Sequence, residues 1–140
     1  MSARTWRDYA RFAEALAALG LAAAAIALLR FKRIAAIASR TPARPIAPTE
    51  ARIAAIRRAI RAGARRVPWR ALCFEQALAA QWMLRRRGIA TTLHYGIAQD
   101  RQAGLSAHVW ITAGPIEILG CENRHDFAEI ARFPGDAPHH

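Results

Sequence analysis

The sequence has little lysine and little cysteine, and its longest uninterrupted apolar run is shorter than a bilayer span. Lys32 is its only lysine, although 21 basic residues against 10 acidic ones give a net charge of +11. Arginine and alanine dominate the whole chain together, as in a GC-rich coding sequence, so the charge alone does not predict nucleic-acid binding. Neither an aromatic-rich RNA motif nor a helix-turn-helix pattern accompanies it. We therefore expect no nucleic-acid partner.

Two cysteines, Cys73 and Cys121, are too few for a disulfide framework and are compatible with a reducing cytoplasm. Neither belongs to a C-x-x-C pair, and Cys121 to His125 is the only close spacing among the cysteines and histidines that could form a site. Structural zinc sites show paired ligands at short spacing, which disfavours a site built from these residues and His108. We expect no metal and no cofactor.

The longest apolar run, "ALAALGLAAAAIALL" at residues 15–29, ends in "RFKR". It is shorter than the roughly 20 residues that span a bilayer, and alanine adds little driving force for insertion. No small-residue cleavage site follows it, which disfavours a signal peptide. We expect a cytoplasmic protein in which this helix is buried or lies on a membrane interface, so peripheral membrane contact stays open.

The proline-rich segment "TPARPIAP", residues 41–48, interrupts the helical pattern because proline breaks helices. We expect an N-terminal helical segment and linker over residues 1–48 and a catalytic core over 49–140, which together form one compact domain.

Apolar residues recur at helical spacing on both sides of the linker. Residues 5–37 predict two helices that meet near Gly20 or Arg30. Beyond the linker, Thr49 is expected to cap a helix over 50–66. Its isoleucines share one face, and its arginines lie on the other: Arg57, Arg58, Arg61 and Arg65. That basic face is either solvated or a docking face for an acidic partner segment.

A further helix is predicted from about Leu72 to Arg87, and Gly88 suits its C-terminal end. The pattern then changes to β-branched and aromatic residues. It predicts strands at 90–98, 106–112 and 116–121, with a last short strand or turn in "FAEIARFP". Helices followed by antiparallel strands indicate an α+β fold.

Cys73 stands in the first turn of this predicted helix. A helix N-terminus carries partial positive charge and free N–H groups, which favour the nucleophilic thiolate. His108 lies in the second predicted strand. A helix-start cysteine with a strand histidine is the papain and transglutaminase arrangement, in which the thiolate attacks a carbonyl and the imidazole moves the proton. The simpler interpretations are a buried apolar cysteine and structural strand histidines, His94 among them.

The local sequence is more specific than the two residues alone. Its segments are "VPWRALCFEQALAAQWMLRRRGIATTLHYGIAQD", then "LSAHVWIT", then "ILGCEN…FAEIARFP". From about residue 50 to residue 134 the chain closely resembles the B2-type proteins of lasso peptide biosynthesis, the processing-protease half of the microcin J25 maturation system. The N-terminal helical stretch also resembles the corresponding region of that family.

The resemblance implies a papain/transglutaminase-like core and a bacterial cysteine peptidase. Such proteins remove the leader peptide from a ribosomally made precursor during RiPP maturation. Implied partners are the precursor leader peptide, a separate leader-recognition (B1-type) protein and a macrolactam cyclase resembling asparagine synthetase. We expect the recognition protein to be separate because nothing in these 140 residues looks like a fused recognition module.

Two other functions fit the same fold. A transglutaminase-like amidase or acyltransferase would use the same acyl-enzyme with a different acceptor. A non-catalytic adaptor would keep the fold and bind a peptide. The Cys/His pair argues against the adaptor, and the family-specific segments argue against the amidase.

By this resemblance, Cys73 matches the nucleophile and His108 the general base, while the third catalytic residue is an acid, usually Asp. This chain has only Glu117 and Glu122 in the strand after His108. If the hairpin turns about Gly114, His108 lies opposite Gly120, and Glu122 is then its diagonal neighbour on the same face.

We therefore expect Glu122 to orient His108. A register slip of one residue would favour Glu117 or even Cys121 instead. Asn123 and Asp126, just beyond the strand, are further candidates.

Overall fold

The computed structural model describes residues 5–69, 71–100, 102 and 104–135. Four helices precede a four-stranded antiparallel sheet, which confirms the predicted α+β fold. One turn of 3-10 helix, Arg124–Asp126, comes before the last strand. In chain order the elements are α1 (Trp6–Leu28), α2 (Phe31–Ala38), α3 (Glu50–Ala64), α4 (Cys73–Arg86), β1 (Thr92–Asp100), β2 (Gly104–Ala113), β3 (Ile116–Leu119) and β4 (Ala128–Phe133).

Local signals place the helix ends where the sequence pattern changes. The first two helices meet at Arg30, whose extended backbone separates them, whereas Gly20 lies inside α1. Thr49 caps α3, because its hydroxyl oxygen accepts the Arg52 N–H at 3.3 Å. Gly88, at φ +82°, takes the left-handed conformation after α4 that glycine adopts most easily.

The sheet has the strand order β3-β2-β1-β4. Strands β1 and β2 pair from Thr92↔Thr112 as far as Asp100↔Gly104, so pairing continues beyond residue 98 and before residue 106, where the two predicted strands end and begin. Strand β3 ends at Leu119, two residues earlier than predicted, because Gly120 has φ +75° and turns the chain away. The short last strand is present as β4 and pairs with β1.

One hydrophobic cluster joins all four helices to one face of the sheet. Alternate residues of the central strands, such as Leu93 and Ile111, face the helices, since side chains alternate along a strand. Gly63 of α3 lets α1 approach closely, because a Cβ there would lie 3.1 Å from the Leu19 side chain. The cluster therefore contains residues from both sides of the proline-rich segment.

Polar contacts join α1 to the C-terminal end of α4. The Glu14 carboxylate accepts hydrogen bonds from Arg87 at 2.6 Å and from Arg86 at 2.7 Å. The hydrogen bond from Arg87 is the main reason that the pKa of Glu14 lies below its ordinary value. In the same region, the Gln81 amide donates to the Ala38 carbonyl at 2.8 Å and so fixes the end of α2.

Helix α1 has an exposed face without charge along most of its length. By length and composition it could cross a membrane, and its most apolar window has a mean hydropathy of 1.7 and is 22% buried. A buried core helix or a signal sequence passes the same test. From Ala10 onward the exposed positions are all alanine or leucine: Ala10, Ala13, Ala17, Leu21, Ala24, Ala27 and Leu28.

Candidate active site

Cys73 is the first residue of α4, and its side chain is half-buried. The residues around it fix the first turn. The Glu75 carboxylate accepts the Leu72 N–H at 3.0 Å, and the Gln76 amide donates to the Ala71 carbonyl at 2.9 Å. The first N–H groups of a helix have no partners within the helix, so this end of α4 can receive a developing negative charge.

His108 lies in β2 and is held by one hydrogen bond and two rings. Its Nε2 is 2.7 Å from the Gly120 carbonyl oxygen. Its ring stacks on Phe127 with centroids 5.0 Å apart and lies 6.0 Å from the Trp110 ring. A carbonyl oxygen can only accept, so Nε2 carries the proton. In the neutral ring Nδ1 is then an acceptor, and no described residue occupies it.

Gly120 is the residue that the sequence argument undervalued. Its φ of +75° favours glycine. A Cβ at this position would lie 2.7 Å from the Val109 carbonyl oxygen and 3.3 Å from Nε2 of His108. The close approach that brings the Gly120 carbonyl to the imidazole therefore requires the absence of a side chain. The only signal in the sequence was a glycine at the end of a predicted strand.

The cysteine and the histidine come from elements that contact each other, since α4 packs against β2. Within the part of the chain that the structure describes, no hydrogen bond joins the Cys73 sulfur to His108. His108 shares a sheet face with Trp110, whereas Val109 between them faces the helices. The strand therefore does not turn the His108 ring toward the helices, and the pairing of Cys73 with His108 stays a prediction.

His94 of β1 has partners for both ring nitrogens. Nδ1 bonds to the Glu129 carboxylate, and Nε2 lies 2.9 Å from the Thr112 hydroxyl. Its ring stacks on Trp110 at 5.4 Å. Burial raises the pKa of Glu129, but the hydrogen bonds from His94 and Arg132 outweigh it and lower that pKa overall. These contacts favour a structural role for His94.

The hairpin register differs from the predicted one. Gly114 and Pro115 both lie in the turn, so Ala113 pairs with Ile116, and an irregularity then shifts the register to Ile111↔Leu119. The predicted pairing of His108 opposite Gly120, based on a turn about Gly114 alone, is therefore wrong. The backbone carbonyl of Gly120, rather than a side chain across the strand, reaches the imidazole.

The acidic candidates have partners other than His108. Glu122 pairs with Arg61 of α3 at 2.9 Å, and both side chains are largely exposed. Glu117 pairs with Arg124 at 2.6 Å. Among the described residues, no hydrogen bond joins His108 to the side chains of Asn123 or Asp126. The orienting role of Glu122 stays a prediction that these contacts do not favour.

Cys121 is a packed residue just after β3. It is 7% exposed, and its Sγ donates weakly to the Ile111 and Leu119 carbonyls at 3.6 Å. Burial raises the pKa of its thiol, and the nearby Glu117 adds to the effect. No group of three or more metal-ligating side chains occurs among the described residues.

The sequence profile of the transglutaminase-like superfamily matches residues 15–132, which cover most of the chain and all of the sheet except Phe133, the last residue of β4. The chain belongs to the transglutaminase-like superfamily. The match begins inside α1, so the helical segment before the linker contributes to this transglutaminase-like domain. Neither the curated proteins nor the solved structures give a match.

Proposed function

We propose that this transglutaminase-like protein is a cytoplasmic cysteine peptidase that removes the leader peptide from a lasso peptide precursor. Cys73 is the nucleophile and His108 the general base. One observation carries the proposal. The Gly120 carbonyl oxygen holds Nε2 of His108 at 2.7 Å, which leaves Nδ1 of the neutral ring as a hydrogen-bond acceptor. Membership of the superfamily and the start of α4 at Cys73 support it.

In the first half of the reaction, Nδ1 of His108 takes the thiol proton as the Cys73 sulfur attacks the scissile carbonyl carbon. The oxyanion forms beside the N–H groups at the start of α4, which stabilise it. Collapse of the tetrahedral intermediate breaks the C–N bond. The imidazolium returns its proton to the leaving amine, and an acyl-enzyme thioester remains on Cys73.

In the second half, His108 removes a proton from a water molecule that attacks the thioester. The C–S bond then breaks and the leader leaves as a carboxylic acid. The proton returns to the sulfur, so the enzyme is regenerated without an external cofactor. The Gly120 carbonyl keeps the ring in one orientation throughout, and it fixes the Nε2–H tautomer whenever the ring is neutral.

The substrate and partners rest on the sequence resemblance. The segments around Cys73, His94 and His108 resemble lasso B2 proteins. We infer that a separate leader-recognition protein delivers the precursor and that a cyclase resembling asparagine synthetase closes the macrolactam afterwards.

The test is cleavage of a precursor by the purified chain, followed by mass spectrometry, with and without the recognition protein. We expect one cut between leader and core, strong stimulation by the recognition protein, and no product with Cys73→Ala. The Cys121→Ala variant is the matched control, because it removes a thiol from a packed site. Undiminished cleavage by Cys73→Ala would overturn the assignment.

Acyl transfer is the second candidate, because water and an amine can both attack the same thioester. It is distinguished by adding a primary amine during cleavage. A leader that ends in a free carboxylate supports the peptidase, whereas an amide adduct as the main product supports a transferase.

We further propose that α1 rests on a membrane surface. Its uncharged exposed face supports this, as do the basic residues that follow it, Arg30, Lys32 and Arg33.

A further inference from the structure

The arginines on and just after α3, apart from Arg52, fall into two sets with different surroundings. Arg57 and Arg61 hold β3 and the chain after it. Arg57 donates to the Ile118 and Glu117 carbonyls at 2.7 Å and 2.6 Å, and Arg61 pairs with Glu122. These two side chains have a structural role.

The second set lines a groove between α1 and α3 with a volume of about 510 Å³. Arg58 contributes from α3, Arg65 and Arg66 directly follow that helix, and Arg11 comes from α1. The side chains of Arg58 and Arg65 make no hydrogen bond or ion pair with any residue that the structure describes. The groove is therefore a separate basic surface rather than a general property of the helix.

The groove has an excess of positive charge. Four guanidinium groups face one carboxylate, Asp8, which gives a net charge of +3 among the lining residues. Asp8 accepts the Thr5 N–H at 2.9 Å at the start of α1, and this hydrogen bond is the main reason that its pKa is lowered. Asp8 is thus already engaged at the helix start, and an acidic ligand would complete the charge balance.

The remaining lining residues favour a peptide over a nucleic acid. Ala55, Ala59 and Ala62 place small methyl groups along the groove, which leaves room for apolar side chains between acidic ones. Bases bind by stacking on free aromatic faces. Of the two aromatic lining residues, the Phe12 ring is covered by the Arg66 guanidinium, 5.5 Å from its centroid, and only Tyr9, which is 61% exposed, offers such a face.

The chain that leaves the groove leads to the candidate nucleophile. Arg65 and Arg66 directly follow α3, and Cys73 begins α4 seven positions after Arg66. Between them, the Trp69 ring packs on Gly20 of α1, where a Cβ would lie 3.4 Å from the ring. A short segment of chain, held against α1 at Gly20, therefore connects the groove to Cys73.

We propose that this groove between α1 and α3 binds an acidic segment of the polypeptide substrate. That assignment rests on the proposed peptidase function, whereas binding of an acidic peptide can be measured separately. Binding uses the full chain with Cys73→Ala, so that no cleavage occurs. The probe is a fluorescein-labelled twelve-residue peptide of glutamate, alanine and leucine; the comparison ligands are its glutamine counterpart and a dT12 oligonucleotide.

Two double variants distinguish the effect of the groove on binding from the effect of the protein's net charge. Arg58→Glu with Arg65→Glu changes the groove, and Arg33→Glu with Arg52→Glu makes the same charge change at exposed arginines outside it. Fluorescence anisotropy should show the acidic peptide binding about ten-fold or more weakly to the groove variant but within about two-fold to the control variant. The glutamine peptide should bind weakly to all of them.

Equal loss in both double variants would overturn the proposal, because binding would then follow net charge alone. Tighter, groove-dependent binding of dT12 would also overturn it and would indicate a nucleic-acid site. Precursor cleavage by the chain with Cys73 intact is measured in parallel. If only cleavage fails, the peptidase function is contradicted. If only peptide binding fails, the proposed binding role of the groove is contradicted.

Discussion

His108 and Gly120 are joined by a hydrogen bond of 2.7 Å from the imidazole Nε2–H to the backbone carbonyl oxygen. A carbonyl fixes the ring and its tautomer, as a carboxylate would, but adds no negative charge beside it. This contact fixes the His108 ring, and among the described residues no carboxylate is hydrogen-bonded to it. The orienting group belongs to the backbone, so the conformation of one glycine controls it.

The first prediction concerns Gly120→Ala. A Cβ there meets the Val109 carbonyl oxygen at 2.7 Å, and φ is +75°. Gly104 has nearly the same φ, +77°, with nothing within 4 Å of its Cβ position, so Gly104→Ala is the matched control. The left-handed conformation alone should reduce the free energy of unfolding by about 1 kcal/mol in both variants.

Overpacking should reduce the free energy of unfolding of Gly120→Ala by about 1–3 kcal/mol more. Cleavage should also fall, because His108 loses its fixed position. Urea unfolding and single-turnover cleavage measure the two effects. If the two alanine variants behave alike in both assays, the close contact at Gly120 has no role in holding His108.

The second prediction separates the two cysteines by alkylation of the native protein. Cys121 is buried with a raised pKa, so its thiolate is both scarce and inaccessible. Iodoacetamide should label Cys73 faster by on the order of ten-fold, as read by peptide mapping at several times. Labelling of Cys73 should abolish cleavage in parallel. Preferential labelling of Cys121 under native conditions would contradict the candidate site.

The third prediction decides between the acids and the backbone carbonyl. Glu122 and Glu117 are largely exposed and pair with Arg61 and Arg124. Replacing either with Gln should change the free energy of unfolding by less than about 0.5 kcal/mol, because exposed ion pairs contribute little. From the contacts, we expect cleavage to change little in both variants. A large, selective fall in kcat with Glu122→Gln would restore it as the residue that orients His108.

The fold could be predicted from the sequence further than the site could. Isoleucines at helical spacing, Thr49 and Gly88 identified helices whose ends the structure confirms. The hairpin register could not be predicted. The extra turn residue Pro115 and the register shift between Ile111 and Thr112 leave no periodic signal in the sequence. The contact between His108 and Gly120 depends on a backbone carbonyl, and no side chain in the sequence indicates it.

The fourth prediction concerns Glu14, which joins α1 to α4 through Arg87 and Arg86. Its carboxylate is largely buried and its pKa is lowered, so the charged form stabilises the folded state. Glu14→Gln should reduce the free energy of unfolding by about 2 kcal/mol at pH 7. Because glutamine keeps the shape of the side chain, this variant removes the charge with little change in packing.

The sign of the pH effect follows from the lowered pKa. The stabilisation is complete above the ordinary value of 4.5 and is lost as pH falls through the lower value in the folded state. The difference between wild type and Glu14→Gln should therefore shrink on acidification below pH 4.5. Urea unfolding at several pH values measures it. A difference that stays constant or grows on acidification would show that the carboxylate charge is not the stabilising factor.

The fifth prediction tests whether the exposed face of α1 binds membranes. Leu21 and Leu28 are 59% and 81% exposed, so replacing both with Gln removes apolar contact with lipid while leaving the thermal midpoint nearly unchanged. Leu105→Gln with Ile130→Gln is the matched control, because both residues are exposed on strands rather than on α1. Each buried leucine contributes about 1.5 kcal/mol or more, so the double variant should bind vesicles at least ten-fold more weakly.

Sedimentation with vesicles that contain phosphatidylglycerol measures this binding, and phosphatidylcholine vesicles report the part due to charge. Wild type and the strand control should sediment alike with the anionic vesicles, because Arg30, Lys32 and Arg33 attract the surface and the α1 face then inserts. If the α1 variant sediments as well as the control, the apolar face does not contact lipid. Binding that vanishes at high salt in every variant would likewise indicate attraction of a basic protein without insertion of α1.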